Sequence, residues 1–393
     1  MSVTVELGAF DGFTLDSPLL GRLDENKLDG GITFVDVSSD VISVGVSRGR
    51  NRDLGRTSAG QVSVSFRNED RRFDPLNAGS DLVRYVVPRK PVRVVADGSA
   101  VFTGLVDDWN FDYALSGLSV ASLSGSDAFS LFARELNSGG TAVEELSGAR
   151  VNRVLDSVKV AWPALERDIQ DGNATLAAGV VDGNALTYLQ GVEESEAGLI
   201  FMSKGGEFAF RERLVSQDAG AVTFSDEGSG IIFEAVATTY GAELLANDVV
   251  VSSSEGTVTA SNVGSQTVYG VVSRSVETFL ASGSLQGLAD YIASRYGEPE
   301  FRVEAVTVNL RAISDSERAD VLGLELGDQA KLVYTPNGVG DRIALRNRVI
   351  GISHSVGIDS HRVTFAFEEL EFNFFILDDD PAGRLGADGV LGF

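Results

Sequence analysis

The chain has 393 residues, 43% of them hydrophobic and 23% charged, enough apolar material for two or three folded domains without covalent staples. It has no cysteine and only two histidines, His354 and His361, which excludes disulfides, thiolate metal sites and cysteine nucleophiles and deprives most acid–base and metal chemistry of its commonest residue. The formal net charge is −25, and it is unevenly spread: residues 1–100 carry 13 Lys and Arg against 14 Asp and Glu, the remainder 19 against 43. Such a surface repels phosphate, so it argues against nucleic-acid binding. It suits a conduit along which DNA slides without sticking, and it serves plain solubility equally well.

The N-terminus, Met1 to Glu6, has no basic-then-apolar pattern, so no signal peptide is expected. No apolar run approaches about 18 residues, so no membrane insertion is expected. With 44 glycines and many short apolar runs, the composition points to β-structure with tight turns.

Residues 1–145 read as β. Val62, Val64 and Phe66 alternate onto one face, Pro91–Ala96 and Val101–Val106 flank an Asp97-Gly98 hairpin turn, and Leu118–Leu123 is a further strand. Ahead of these strands stands an Arg-rich stretch with Arg48, Arg50, Arg52 and Arg56, which continues to Arg71 and Arg72 and is the only basic concentration in the chain. Residues 146–235 change character to a small α+β unit. Val151, Val154, Leu155 and Val158 have helical spacing, a second helix is expected over Asn184–Ala197 with Gly198 closing it, and a hairpin follows around Gly205-Gly206. Residues 236–374 return to β, with a hairpin at Glu255-Gly256, strands over Phe301–Leu310, Ala330–Thr335, Arg342–Val356 and His361–Glu369, and one helix. Its stripe is Leu285, Leu288, Ala289, Ile292, Ala293 and Tyr296, with Ser284 as the expected N-cap and Gly297 and Pro299 as the stop. The expected fold class is therefore mainly β, α+β overall.

Residues 375–393 read as an extended C-terminal clip. Phe375-Ile-Leu-Asp, then Pro and Gly-Arg-Leu, echoes Phe13-Thr-Leu-Asp, then Pro and Gly-Arg-Leu, near the start. In both, a Phe and a Leu (Phe13 and Leu15, Phe375 and Leu377) would anchor a segment bent by Pro and Gly.

Candidate chemistry is sparse. His354 and His361 flank a turn that would bring them together near Asp359, but a metal needs a third ligand. Glu193-Glu-Ser-Glu196 clusters carboxylates at what reads as the solvated end of a helix, where a catalytic pair with one raised pKa is not expected. Asp378, Asp380 and Asp388 lack calcium-loop spacing. There is no phosphate loop and no Gly-x-Ser-x-Gly elbow. No cofactor, metal or catalytic residue is assigned, and the chain is not expected to be an enzyme. The arginines lack interleaved aromatics, so a subunit interface suits them better than nucleic acid. Arg48, Arg50, Arg52, Arg71 and Arg72, with the clip anchors, are the candidate interface residues.

One segment is distinctive: Val64-Ser-Phe-Arg-Asn-Glu-Asp-Arg-Arg-Phe-Asp-Pro-Leu-Asn77, followed by Pro88-Arg-Lys-Pro-Val-Arg-Val94 and Val101-Phe-Thr-Gly-Leu-Val-Asp-Asp-Trp109. It resembles the minor tail proteins of siphophages that infect actinobacteria. Further matching pieces occur in the same order: Glu194-Ser-Glu-Ala-Gly198, Phe208–Arg213, Ala289–Tyr296, Val349–His354 and the Leu377-Asp-Asp segment. The resemblance implies a baseplate or tail-tip hub, a homotrimer in which each subunit supplies two tube-like β-barrel or sandwich domains (here 1–145 and 236–374) around the small α+β insertion. It implies a location at the distal end of the virion tail, assembled in the host cytoplasm. There the hub would adapt a six-fold tube to a three-fold tip, touch the distal tail protein ring and the tip or fibre proteins, hold the tape-measure end, and meet DNA only in transit through its lumen. A hexameric distal tail protein is the alternative within this class. A cell-envelope carbohydrate-binding or glycosidase component is the alternative outside it, although Trp109 and Trp162 are the only tryptophans available for a sugar platform.

Overall fold

The computed structural model describes residues 2–10, 31–50, 52, 55–115, 117–133, 135–213, 222–228 and 230–370. The clip anchors Phe13, Leu15, Phe375 and Leu377, and the Asp378–Asp388 acids, lie outside them.

The first β region contributes β1 (Val3–Phe10), β2 (Ile32–Asp36), β3 (Val41–Gly49), β4 (Ser58–Arg67), β5 (Pro91–Ala96), β6 (Ser99–Tyr113) and β7 (Ser119–Ser126). The expected turn between β5 and β6 forms with Asp97 at φ 46° and Gly98 at φ 83°, the two left-handed residues that a tight hairpin matching strand twist requires. Val62, Val64 and Phe66 all face inward from β4. Phe66 stacks on Phe73 with ring centroids 4.4 Å apart, and Trp109 of β6 lies 5.9 Å from Phe66. Phe73 reaches that stack because the Asn68–Pro75 stretch is a self-contained turn. The Asn68 side chain accepts from the Phe73 amide at 3.0 Å, Arg71 takes a left-handed φ of 60°, and Asp74 accepts from the Leu76 amide at 2.8 Å.

The middle of the chain holds α1 (Phe129–Phe132), β8 (Glu135–Ala142), β9 (Glu145–Leu146), α2 (Ser147–Leu155), β10 (Arg167–Ile169), β11 (Thr175–Leu176), β12 (Gly179–Asn184), α3 (Ala185–Glu196), β13 (Leu199–Met202) and β14 (Phe208–Arg211). Asn184 caps α3 by accepting from the Thr187 amide. The helix closes on Ala197, which adopts the left-handed conformation, one residue before the expected Gly198. Gly198 is needed for a different reason: a Cβ there would lie 2.4 Å from the Arg211 carbonyl oxygen of the neighbouring strand. Val158 falls past the end of α2 and is exposed, so the expected helical stripe stops at Leu155.

The last region contains β15 (Val222–Ser225), β16 (Ala235–Gly241), β17 (Asp248–Ser253), β18 (Gly256–Ser261), α4 (Val263–Tyr269), β19 (Ser273–Glu277), α5 (Ser282–Arg295), β20 (Glu300–Asn309), α6 (Asp315–Gly323), β21 (Gln329–Tyr334), β22 (Ile343–Gly357) and β23 (Ser360–Glu369). The α5 stripe is buried as expected, but its cap differs. Ala281 is the N-cap and Ser284 lies inside the first turn, while Glu255 from the preceding hairpin accepts the Ser282 amide at 2.7 Å. Strands β17–β19 form their own sheet under α5. This layer packs on the middle unit: the Ala177 amide donates to the Phe279 carbonyl at 2.7 Å, and Tyr188 stacks on Phe279 at 4.6 Å.

The fold is mainly β, as expected, but the two β regions are not separate sheets. One thirteen-stranded sheet runs β16-β20-β23-β22-β3-β4-β7-β6-β5-β1-β2, with β21 also on β22 and β15 on β21. Among the described residues it does not close into a barrel. Strand β22 makes the join. Its first half, Ile343–Arg348, pairs with β21; its second, Gly351–Val356, pairs antiparallel with Val44–Gly49 of β3. At the changeover Gly49 faces Gly351. A Cβ on Gly49 would lie 2.2 Å from the Ile350 carbonyl oxygen, and one on Gly351 would lie 2.4 Å from that of Arg50. The backbones touch there, with no room for any side chain.

Replacing Phe73 by Ala should lower unfolding stability by about 3–5 kcal/mol in a denaturant titration, because it empties one side of the Phe66–Trp109 stack. A loss below about 1 kcal/mol would mean that the turn does not hold Phe73 in the core.

Candidate functional site

Arg48 and Arg50 leave the end of β3 two residues apart, on either side of the Gly49–Gly351 contact. Both are buried, 5% and 8% exposed. A buried guanidinium needs charged or polar partners, and each finds them far along the chain. Arg48 Nη1 donates to Glu325 at 2.7 Å and to the Met202 carbonyl at 3.3 Å. Glu325 also accepts the Lys204 amide at 2.9 Å, and Lys204 Nζ donates to the carbonyls of Leu322 and Gly323 at the C-terminal end of α6, where a cation complements the helix dipole. Arg50 Nη2 donates to Glu368 at 3.0 Å, and Arg348 meets the same carboxylate at 2.8 Å. Burial works to raise the Glu368 pKa, but the guanidiniums of Arg348 and Arg50 hold it down at about 2.

Glu193 completes the junction from α3. It accepts from Thr57 Oγ1 at 2.6 Å and from the Ile200 amide at 3.2 Å, and lies 3.9 Å from Arg50. Burial pushes its carboxyl upward, with Arg50 and Thr57 opposing. Glu196, one turn on, accepts from Ser147 Oγ at 2.7 Å and from the Ala174 amide at 2.8 Å. The expectation of a solvated acidic helix end therefore fails: Glu193 and Glu196 are 3% and 1% exposed. They fasten α3 to the strand β4 approach and to the loop before β11. Arg48, Arg50, Glu193, Glu325, Arg348 and Glu368 thus form an internal lock between the middle unit and the shared sheet.

The other candidate arginines stay nearer the surface. Arg52 meets Glu243 and Arg56 meets Glu194, both as exposed pairs of the kind worth about 0–1 kcal/mol. Arg71 is held by Asp74 within its own turn, and Arg72 bridges Asp40 and Asp81 at 2.7 and 2.8 Å. Arg52, Arg71 and Arg72 keep surface to offer a neighbour; Arg48 and Arg50 are spent inside the chain.

The two histidines do meet. His354 Nδ1 and His361 Nε2 are 3.0 Å apart across β22 and β23, and both rings are buried. Burial, reinforced by the partner ring and by Arg48 and Lys204, drives His354 well below the ordinary imidazole range; burial brings His361 to about 4. Asp359 is in the exposed turn between the strands, and among the described residues no group of three metal-capable side chains assembles. Asp127 is the opposite case: burial raises its carboxyl to about 7 although it accepts the Phe129 and Gly60 amides.

The outermost strands are the remaining feature. Strand β16, Ala-Val-Ala-Thr-Thr-Tyr-Gly, is an edge among the described residues, with no charged residue, no proline and no buried residue. Its Tyr240 pairs with Phe301 of β20, and both rings are exposed. At the far end β2 leaves Ile32 exposed. A long uncharged edge offers unpaired backbone groups to another strand.

No protein-family model and no curated protein matches the sequence. Solved structures do match the fold. The tail protein from Neisseria meningitidis MC58 superposes with a TM-score of 0.60 at 13% identity, over 94% of this chain and 97% of that one. The 43 kDa tail protein of prophage MuSo2 from Shewanella oneidensis gives 0.55 at 10% identity, over 85% and 94%. The prophage tail protein gp18 from Listeria monocytogenes EGD-e gives 0.52 at 10%, over 94% and 96%. At such identities the likeness is one of fold, and it extends over most of both chains.

Two measurements test the lock and the histidine pair. Glu368→Gln leaves Arg50 and Arg348 buried without their shared carboxylate and should destabilise the chain by about 3–5 kcal/mol in chemical denaturation; a change within about 0.5 kcal/mol would remove the lock from the account. In a histidine NMR titration neither imidazole should titrate between about pH 8 and 5, and His361 should show its midpoint at about 4. Because the folded value lies below the unfolded one, the unfolded chain gains its proton first. Stability from His361 is therefore complete above about pH 6.5 and declines, by on the order of 3 kcal/mol, as pH falls toward the folded value. Asp127, raised rather than lowered, contributes with the opposite sign over pH 4–7.

Proposed function

We propose that the chain is a structural component of a phage-type tail, a ring-forming hub at the distal end of the tube. The observation that carries this reading is the open sheet with its uncharged β16 edge. A soluble monomer ordinarily protects such an edge with charge, proline or a covering element. A ring removes the problem by pairing one subunit's edge with the next subunit's opposite end, a head-to-tail contact that closes when the rotation allows. The shared fold with the three tail proteins supports the same class, and so does the run of tail-protein-like motifs from Val64 to Trp109.

In the finer form of the proposal the ring is a homotrimer. Each subunit supplies two β halves, residues 1–145 and 236–374, joined at β3–β22, and this would match a six-fold tube to a three-fold tip. Distal tail protein, tape-measure protein and tip or fibre proteins are its expected neighbours, the acid-rich remainder of the chain would line or flank a channel that DNA crosses, and Arg52, Arg71 and Arg72 with the clip anchors are the proposed contact residues.

Native mass measurement on the full chain should give a trimer. A hexamer would favour a distal tail ring instead, and a monomer that binds or cleaves envelope glycans would overturn the class. Thr238→Lys, on the exposed face of the β16 edge, should weaken assembly at least about tenfold while leaving protomer unfolding within about 0.5 kcal/mol. An unchanged assembly constant would mean that β16 is not the contact.

A further inference from the structure

A cleft of about 400 Å³ opens at the end of the central strands, between the start of β3, the end of β4 and the β22–β23 turn. That volume is within the range of ligand clefts. In a chain of net charge −25, no Asp or Glu is among the described residues lining it. Its walls are apolar at Val41, Val356 and Ile358, and two arginines stand in it, Arg67 and Arg311. Among the described residues each guanidinium donates only to a backbone carbonyl, Arg67 to Ser39 at 2.9 Å and Arg311 to Ile358 at 3.0 Å, and neither has a carboxylate partner. Other surface arginines, such as Arg52, Arg72 and Arg362, do.

Ser38, Ser43 and Ser360 add hydroxyls to the lining, and a histidine stands behind them. His361 lines the cleft and is 1% exposed, and its Nδ1, itself shut off from solvent just behind the wall, has no hydrogen-bond partner among the described residues. The other ring nitrogen, Nε2, is engaged by His354. A buried ring nitrogen left without a partner loses its hydration with nothing in return. An acceptor in the cleft would resolve this. His361 would carry its proton on Nδ1 and donate it into the cleft, while Nε2 accepts the proton of His354 Nδ1. That tautomer employs both nitrogens of His361 and Nδ1 of His354.

We infer that this cleft is a docking site for a peptide segment of a neighbouring protein, one that presents a carboxylate beside an apolar side chain. Two guanidiniums and one N–H donor match the oxygens of a carboxylate, which Arg binds through paired N–H groups. The apolar walls match the neighbouring side chain. A nucleic-acid backbone fits less well, because the surrounding charge repels a polyanion and its phosphates bring no apolar group. The inference does not depend on the chain forming a ring.

The test uses the full chain with three probes: the peptide acetyl-Leu-Asp-Leu amide, its Asn counterpart, and inorganic phosphate. Calorimetry gives affinities, and because the chain has only two histidines, histidine-selective ¹⁵N NMR reads the His361 nitrogens directly. The Asp peptide should bind at least about tenfold more tightly than the Asn peptide, as expected for losing a charge-assisted pair of bonds. It should shift the His361 Nδ1 resonance, and Arg67→Gln and Arg311→Gln should each weaken it. Ser43→Trp, which fills the exposed mouth and leaves both arginines in place, should abolish binding even where an arginine variant fails to fold. Equal binding of the Asp and Asn peptides, no binding up to about 10 mM, or phosphate binding as tightly as the peptide would each overturn the inference, the last by making this a site for a free anion.

Discussion

The antiparallel pairing of β3 with the second half of β22 is the contact on which the larger architecture rests. It joins strands more than 290 residues apart in sequence, Val44–Gly49 with Gly351–Val356, and turns two β regions into one sheet. Its closest point admits no side chain, so two glycines stand opposite each other, and the Arg50 amide donates to the Ile350 carbonyl at 2.8 Å across the gap. A contact between such distant segments carries a large closure entropy. Bare backbone pairing at one register is a narrow margin against that, and it explains why charged side chains are gathered around it.

Those charges do more for uniqueness than for net stability. Burying Arg48, Arg50 and Arg348 is costly, and a well-packed apolar substitute is often as stable. Their partners, however, come from places that meet only in the correct fold: Glu325 from the loop after α6, Glu368 from β23 and Glu193 from α3. A slipped register between β3 and β22 would move Arg48 and Arg50 away from all three and leave buried charges uncompensated. The same logic covers Lys204, whose ammonium is lowered by burial and is held by carbonyls at the end of α6. The lock thereby ties the position of the middle unit to the strand register of the sheet beneath it.

This division also explains what could be read from the sequence. Asp97-Gly98, Gly205-Gly206 and Glu255-Gly256 announced their hairpins because turn chemistry is local. The α5 stripe and the alternation of Val62, Val64 and Phe66 were equally plain, since a buried face imprints a period on adjacent residues. The Ser314-Asp-Ser-Glu317 capping box that starts α6 is a local signal too, but only Val321 and Leu322 are buried behind it, too little for a stripe. The roles of Glu193 and Glu196 left no local trace. An acid at the end of a helix looks solvated until the chain that covers it, 136 residues away at Thr57 for Glu193, is in place. Arg48 and Arg50 looked like interface residues for the same reason: their partners lie 277 and 318 residues away. The cleft beside His361 was half visible, because the histidine pairing could be anticipated from their spacing around a turn, whereas Arg67 and Arg311 come from unrelated strand ends.

Among the described residues the sheet that joins both β regions stays open, and this bears on how the surface can be used. Had each region closed on itself, every backbone group would be paired within the chain and the exterior alone would meet neighbours. Here the strand order of the described residues ends at β16 on one side and β2 on the other, and the two ends are unlike. The β16 end is uncharged and flat in burial, with Tyr240 and Phe301 side by side. At the β2 end, Arg93 of β5 lies over the Phe34 ring at 3.5 Å and pairs with Glu6. For the proposed assembly, unlike ends would favour a contact of one end with the other over a contact of either with itself, and so a directional ring over a two-fold dimer. Each subunit's internal lock would then fix the angle between its two ends. The buried arginines, which never reach the surface, would set the geometry of contacts in which they take no part.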